Sequence, residues 1–220
     1  MIITIDGPAG SGKSTAARLL AERLGFFHLD TGAIYRSIAY LTKKNGIPLN
    51  DERGIVDIAS GIDIDFVIQD KVKKVIANGE DVTEKIRMPE ISNAASDVAK
   101  IAGVRSALID IQRRFAEGRN IVAEGRDMGT VIFPYADLKF FLNASPRVRA
   151  KRRELELRLK GIDESFSKVL EDIERRDIQD SQRDVAPLRP ANDAIMVDTD
   201  NMNIEEVLEF LLSEVKRRWK

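Results

Sequence analysis

The sequence predicts an α/β fold: a parallel five-stranded sheet flanked by helices, with an inserted antiparallel subdomain and a helical lid. Three observations carry this expectation. Five short apolar runs, each bounded by polar or turn residues, alternate with stretches of helical periodicity. One region alternates at period two instead. With 220 residues, 43% hydrophobic and 32% charged, the chain can bury one large core and stay in solution.

The first strand is the apolar run Ile2 to Ile5, which enters a glycine-rich loop and then a helical pattern from Ala16 to Leu24. Further buried strands are expected at Phe26–Leu29, Ile121–Ala123, Leu138–Leu142 and Ala194–Val197. Helices are expected at Ala33–Lys44, Val104–Glu117, Pro146–Lys160, Ser165–Arg176 and Ile204–Arg218. Asn203, with Glu206 three positions later, has the spacing of a capping box for the last of these. Between them, Ile62, Ile64, Phe66 and Ile68 alternate with polar or small residues. A turn at Gln69-Asp70, a second strand from Val72 to Ala77, Asn78-Gly79 and a third strand ending near Val82 complete an antiparallel piece. Such a piece does not belong inside a parallel sheet, so residues 38–85 read as an insertion. The core is then 1–37, 86–145 and 164–220, and 146–163 form the lid.

Composition narrows the function. The formal net charge of −1 argues against nucleic acid or an anionic membrane as partner. With no cysteine, disulfides, thiolate metal sites and cysteine nucleophiles are excluded. There is no leader pattern at the N-terminus, and no apolar run approaches the roughly 20 residues that span a bilayer. A cytoplasmic protein is expected.

The most specific signal is the stretch Gly7, Pro8, Ala9, Gly10, Ser11, Gly12, Lys13, Ser14 and Thr15. It fills the P-loop pattern G-x-x-x-x-G-K-[ST] between a strand and a helix. Glycines let the backbone fold into a nest of inward N–H groups, and the following helix adds the positive end of its dipole. Lys13 brings a charge to the β/γ-phosphates of a nucleoside triphosphate, and Ser14 offers a hydroxyl to Mg²⁺. A transferred phosphoryl group also needs cations on its acceptor side. Arg36, in DTGAIYR after the second strand, and Arg126, in EGRDMGT after the third, lie at carboxyl ends of strands, where open α/β sheets bind ligands. Two arginines from separate loops can grip one phosphate. Asp127 is placed to accept from a base amine or to orient Arg126. Arg176, Asp180 and Arg183 are spaced to share one helical face. The run Arg147, Arg149, Lys151, Arg152 and Arg153 is either a solvated face paired with Glu154 and Glu156 or the basic side of a lid, and spacing does not choose between these readings. His28, the sole histidine, sits at an apolar strand end and reads as structural.

Together GPAGSGKST, LDTGAIYR, NAASDVA, AEGRDMGTVIFP and RDIQDSQRDVAPL resemble the bacterial cytidylate kinase family, and the likeness runs nearly end to end. The resemblance implies phosphoryl transfer from ATP to CMP or dCMP with Mg²⁺; separately, a monomer is expected. The resemblance also implies Thr31, Tyr35 and Arg36 at the acceptor nucleotide. It further implies Ser96, Arg105 and Asp127 at the cytosine, Arg126, Arg176 and Arg183 at the acceptor phosphate, and Asp180 at the ribose. Lys13, Arg36, Arg126 and Arg183 are the expected catalytic cations, and Arg153 the lid residue at ATP. Where the family often has aspartate before Gly125, this chain has Glu124, which keeps the charge and can hold a Mg²⁺-bound water. Uracil would turn a carbonyl toward the Asp127 carboxylate where cytosine offers an amine, so CMP is expected to be preferred over UMP. UMP, AMP and shikimate kinases are the rivals among small-acceptor kinases, but the DGFPR string of adenylate kinases is replaced by EGRDMG. A GTPase switch would carry N-K-x-D, which does not occur.

Overall fold

The computed structural model of the chain describes residues 1–69 and 72–219; Asp70, half of the expected Gln69-Asp70 turn, lies outside them. The elements are β1 (Ile2–Asp6), α1 (Lys13–Leu24), β2 (Phe27–Asp30), α2 (Thr31–Lys44), α3 (Glu52–Ser60), β3 (Ile64–Gln69), β4 (Val72–Ala77) and β5 (Glu80–Asp81). After a 3₁₀ turn at Lys85–Arg87 come α4 (Pro89–Val98), α5 (Ala102–Arg114) and β6 (Ile121–Gly125). A π turn at Met128–Ile132 leads to β7 (Leu138–Asn143), α6 (Pro146–Leu159), α7 (Phe166–Gln182), β8 (Ile195–Asp198) and α8 (Ile204–Arg218).

Two compact units result, Met1–Leu29 with Phe115–Lys220, and Asp30–Arg114. The first is built on a five-stranded sheet ordered β2-β6-β1-β7-β8, in which β1 runs parallel to β6 and β7, and β7 to β8. In this register Ile3 lies beside Val122 and Leu138, and Ile5 beside Phe140. Side chains at paired positions of a parallel sheet share a face. That face buries them against Ala16, Ala17 and Leu20 of α1 and Val207, Leu208, Leu211 and Val215 of α8. Each fully buried aliphatic side chain there contributes about 1.5–3 kcal/mol. The capping box of α8 forms as expected, with Glu206 N–H donating to Asn203 Oδ1 at 3.0 Å and Asn203 N–H to Glu206 Oε2 at 2.8 Å.

The second unit holds a three-stranded antiparallel sheet, β3-β4-β5, with Ile64 opposite Ala77 and Phe66 opposite Val75, all four buried. Asn78 (φ 49°) and Gly79 (φ 77°) are both left-handed, the geometry of a tight two-residue hairpin between β4 and β5. This unit also contains α2, α3, α4 and α5, so its bounds are wider than the 38–85 segment marked by the sequence pattern.

Three elements differ from the sequence expectation. The helix α3 was not anticipated: it is nine residues long, starts on an Asp51 cap and buries only Ile55 and Ala59. The NAASDVA stretch folds as α4, with Ile91, Ala94, Ala95 and Val98 on its buried side. The third difference is the length of α7, which continues past Arg176 to Gln182 although Ile173 is its last buried apolar residue. Ion pairs from Asp177 and Asp180 take the place of apolar contacts over its final turns.

Candidate active site

The loop between β1 and α1 folds as a nest. Gly10 (φ 77°) and Gly12 (φ 86°) are left-handed, and the helix begins at Lys13. Gly7 is fixed by packing: a Cβ there would lie 2.1 Å from the Leu142 carbonyl oxygen of β7. That contact is backbone and cannot yield. Gly7→Ala is therefore expected to lower Tm by about 5–10 °C and to abolish ATP binding, read by thermal unfolding with and without nucleotide. Among the described residues the buried Ser11 hydroxyl has no hydrogen-bond partner, as suits a group that faces a phosphate oxygen.

Lys13 is buried and folds back so that Nζ donates to the Pro8 carbonyl at 3.1 Å. Burial, reinforced by the charges of Arg126 and Arg176 and opposed by Glu124 and Asp180, pulls its pKa down to about 7. Below its usual value in the folded chain, Lys13 binds its proton more weakly than when unfolded. Its contribution to stability therefore rises with pH from about 7 toward the unfolded value. A phosphate beside the ammonium restores the charged form. ATP binding at pH 8.5 is expected to take up about one proton, measured by calorimetry in buffers of different ionisation enthalpy. The uptake should vanish in Lys13→Met.

At the start of α1, Ser14 Oγ donates to Glu124 Oε2 at 2.5 Å, and His28 Nε2 lies 3.1 Å from Glu124 Oε1. Ser14 Oγ and the Glu124 carboxylate are hard oxygen donors beside the nest. Among the described residues no cluster of three or more acidic, histidine or cysteine side chains could cage a metal. That donor set fits Mg²⁺, which keeps several waters and takes other ligands from phosphates. Ser14 and, through water, Glu124 are the residues that would hold it.

The tip of β6 carries the acceptor-side groups. Arg126 Nε donates to Asp180 Oδ2 of α7 at 2.7 Å. Burial opposes the Arg126 charge, but the Asp180 carboxylate holds its pKa above the ordinary value. Likewise burial works against ionised Asp180, yet Arg126 keeps it below the usual carboxylate range. Arg183, the C-cap of α7, places its guanidinium 3.7 Å from Asp127 Oδ1 and 3.9 Å from Asp180 Oδ1, while its Nε donates to Ala186 O at 2.6 Å. Arg176, one turn before Asp180, adds its charge to Asp180 and to Lys13. One unit thus gathers Lys13, Ser14, Glu124, Arg126, Asp127, Arg176, Asp180 and Arg183.

Within the other unit, Asp30 caps α2 by accepting from Ala33 N–H at 3.0 Å and takes a second bond from Arg36 at 2.9 Å. Gly32 leaves room for this pair, since a Cβ there would lie 2.7 Å from an Arg36 nitrogen. Thr31 is buried at the first position of α2. The Arg105 guanidinium lies over the Tyr35 ring, 5.4 Å from its centroid, and donates to Ala99 O at 3.3 Å. Ser96 on α4 donates to Ser92 O at 3.4 Å.

Of the α6 arginines, Arg153 pairs with Glu156 at 3.0 Å. The one that reaches the loop is Arg149, which is buried and donates to Ala9 O at 3.1 Å and Ala144 O at 2.8 Å while gripping both Asp177 oxygens. Arg152 donates to Thr199 Oγ1 at 3.0 Å, and that hydroxyl lies 3.3 Å from Ser11 O. No sequence signal separates Arg149 from its neighbours. Nothing local in the sequence marks Asp177 or Thr199 either, because their partners Arg149 and Ser11 lie far along the chain.

A phosphate nest at the end of a central parallel strand, with a lysine inside it, Arg126 at the adjoining strand tip and Arg176 and Arg183 from α7, defines a P-loop kinase. Solved structures share the fold. A shikimate kinase from Bacteroides thetaiotaomicron is 15% identical over 98% of both chains, with a TM-score of 0.51. An uncharacterized protein from Eubacterium ventriosum, 12% identical over 99% of both chains, gives 0.56. The sequence comparison is narrower: the profile described as cytidylate kinase matches residues 3–217. Proteins named cytidylate kinase from Caldicellulosiruptor bescii and Pseudomonas syringae are each 48% identical, over 96% and 99% of this chain and 93% and 96% of theirs. One from Vibrio cholerae is 46% identical over 99% of this chain and 96% of its own. The chain belongs to the cytidylate kinase family.

Proposed function

We propose that the chain transfers the γ-phosphoryl group of ATP to CMP or dCMP, releasing ADP and the nucleoside diphosphate. The observation that carries this reading is the joining of Arg126, Asp127, Asp180 and Arg183 at the tip of β6 in the same unit as the Lys13 nest. ATP lies with its phosphates in Gly7 to Thr15, beside Lys13. Ser14, with Glu124 through water, would hold Mg²⁺, whose charge would offset that of the phosphate oxygens. Arg36, Arg126, Arg176 and Arg183 hold the acceptor phosphate, with Thr31 and Tyr35 beside the nucleotide. Asp180 accepts from the ribose, and Ser96, Arg105 and Asp127 read the cytosine. The attacking phosphate oxygen is already charged, so no general base is needed and catalysis rests on positioning and charge stabilisation.

Residues 38–85 and 146–163 act as the moving parts, an acceptor-side insertion and a lid, that exclude water during transfer. Arg153 belongs to that lid, with Arg149 as the contact already made to the loop. The protein works as a monomer in the cytoplasm. Among the described residues no helix is long and apolar enough to cross a membrane. The test is a coupled assay for ADP with ATP, Mg²⁺ and each of CMP, dCMP, UMP and AMP. Release that depends on CMP or dCMP is the expected result. Release that is equal for all acceptors, or GTP hydrolysis with none, would overturn the reading.

A further inference from the structure

Asp6 closes β1, yet the reaction outlined above does not use its carboxylate. The side chain is only 4% exposed, and both its oxygens are taken by one segment. Oδ1 accepts the Met128 N–H at 2.9 Å, and Oδ2 accepts the Gly129 N–H at 2.8 Å. These two amides follow directly on Arg126 and Asp127. The same peptide unit is held from its other side, because the Asp127 carbonyl accepts from Val131 N–H at 2.9 Å and Ile132 N–H at 3.2 Å. The peptide linking Asp127 to Met128 is therefore pinned at both its N–H and its C=O.

The segment can lie this close to β1 because Gly129 has no side chain. A Cβ there would fall 3.0 Å from Thr4 Oγ1, 3.2 Å from Lys139 Cδ and 3.4 Å from Asp6 Oδ2. The arrangement is costly in itself. Burial drives the Asp6 pKa up to about 6, against the pull of the two amides, with Asp127 raising it further and Arg126 lowering it. Ile3 and Ile5, which share the strand, are fully buried and carry no such penalty. A carboxylate at this position is explained by what it holds.

We propose that Asp6 is a positioning residue for the acceptor nucleotide: its carboxylate staples the Met128 and Gly129 amides to β1 and so sets Arg126 and Asp127 in place. The inference rests on the reading that Arg126 and Asp127 face the acceptor. Asp6→Asn keeps the shape but leaves one acceptor oxygen for two amides, and its own NH₂ opposes the other. CMP affinity measured by calorimetry should fall about tenfold, as for one lost hydrogen bond to a charged group, with ATP affinity changed less than about twofold. The KM for CMP should rise in step, and amide hydrogen exchange at Met128 and Gly129 should speed up by at least about tenfold while that of β1 does not.

Should Asp6→Asn not fold, Gly129→Ala lifts the same segment and should give the same loss of CMP affinity. Wild-type CMP affinity and amide protection in whichever variant folds would overturn the staple. So would equal losses of ATP and CMP affinity with a lowered Tm, which would mark a general role in the strand. Arg126→Ala separates the two levels. If it leaves CMP affinity unchanged, the acceptor reading fails. If it weakens CMP binding while Asp6→Asn does not, the staple alone fails.

Discussion

Replacing Lys13 with methionine is expected to lower kcat about a thousandfold or more, the scale seen when one preorganised charge-stabilising donor is removed. The transfer step spreads charge over the phosphoryl oxygens, and Lys13 is the buried cation at the phosphate nest itself. The same change should leave the nucleotide-free protein at least as heat-stable at pH 7. Burial disfavours the Lys13 ammonium, so an apolar stem of similar length relieves that cost and the repulsion from Arg126 and Arg176, against the lost bond to Pro8 O and the lost attraction of Glu124 and Asp180. Turnover and unfolding should thus move independently. A variant retaining more than about a tenth of wild-type kcat would remove Lys13 from the chemistry.

The second large effect concerns the base. Asp127→Asn should narrow the preference for CMP over UMP by about 10–100-fold in kcat/KM. Asp127 is almost fully buried with the Arg183 guanidinium 3.7 Å away, and its carboxylate oxygens accept hydrogen bonds. Cytosine presents an amine there, and uracil a carbonyl that two buried acceptors would repel. Asparagine can turn its NH₂ toward that carbonyl. Kinetics with both acceptors at saturating ATP provide the check: an unchanged ratio would place base reading elsewhere. Arg126 and the nest are untouched by this substitution, so the KM for ATP should stay within about twofold of wild type.

These two residues were legible in different ways. Lys13 stands in a nine-residue run whose geometry is set by its own glycines and by the strand and helix on either side. Asp127 is marked by its neighbour Arg126 and by the family resemblance, but nothing local says that it meets Arg183, fifty-six positions on. The same division runs through the fold. The caps at Asn203 and the Asn78-Gly79 hairpin formed as the residues require, because each depends on neighbours within four positions. The last turns of α7 and the whole of α3 were missed, because few apolar residues mark them.

By itself, then, the amino-acid order determined the phosphate nest, the alternation of strands and helices, the antiparallel hairpin and the family likeness. All of these are written in contiguous stretches through backbone preference and periodicity. Only the tertiary structure decided that Ser14 meets Glu124, that Arg126 meets Asp180, that Arg149 rather than Arg153 touches the loop, and that Asp6 holds Met128 and Gly129. Those pairings span up to 140 positions of chain. They arise because the strand order β6-β1-β7 brings strand tips from distant segments side by side, and ionisable groups buried there must find partners of opposite charge or polarity.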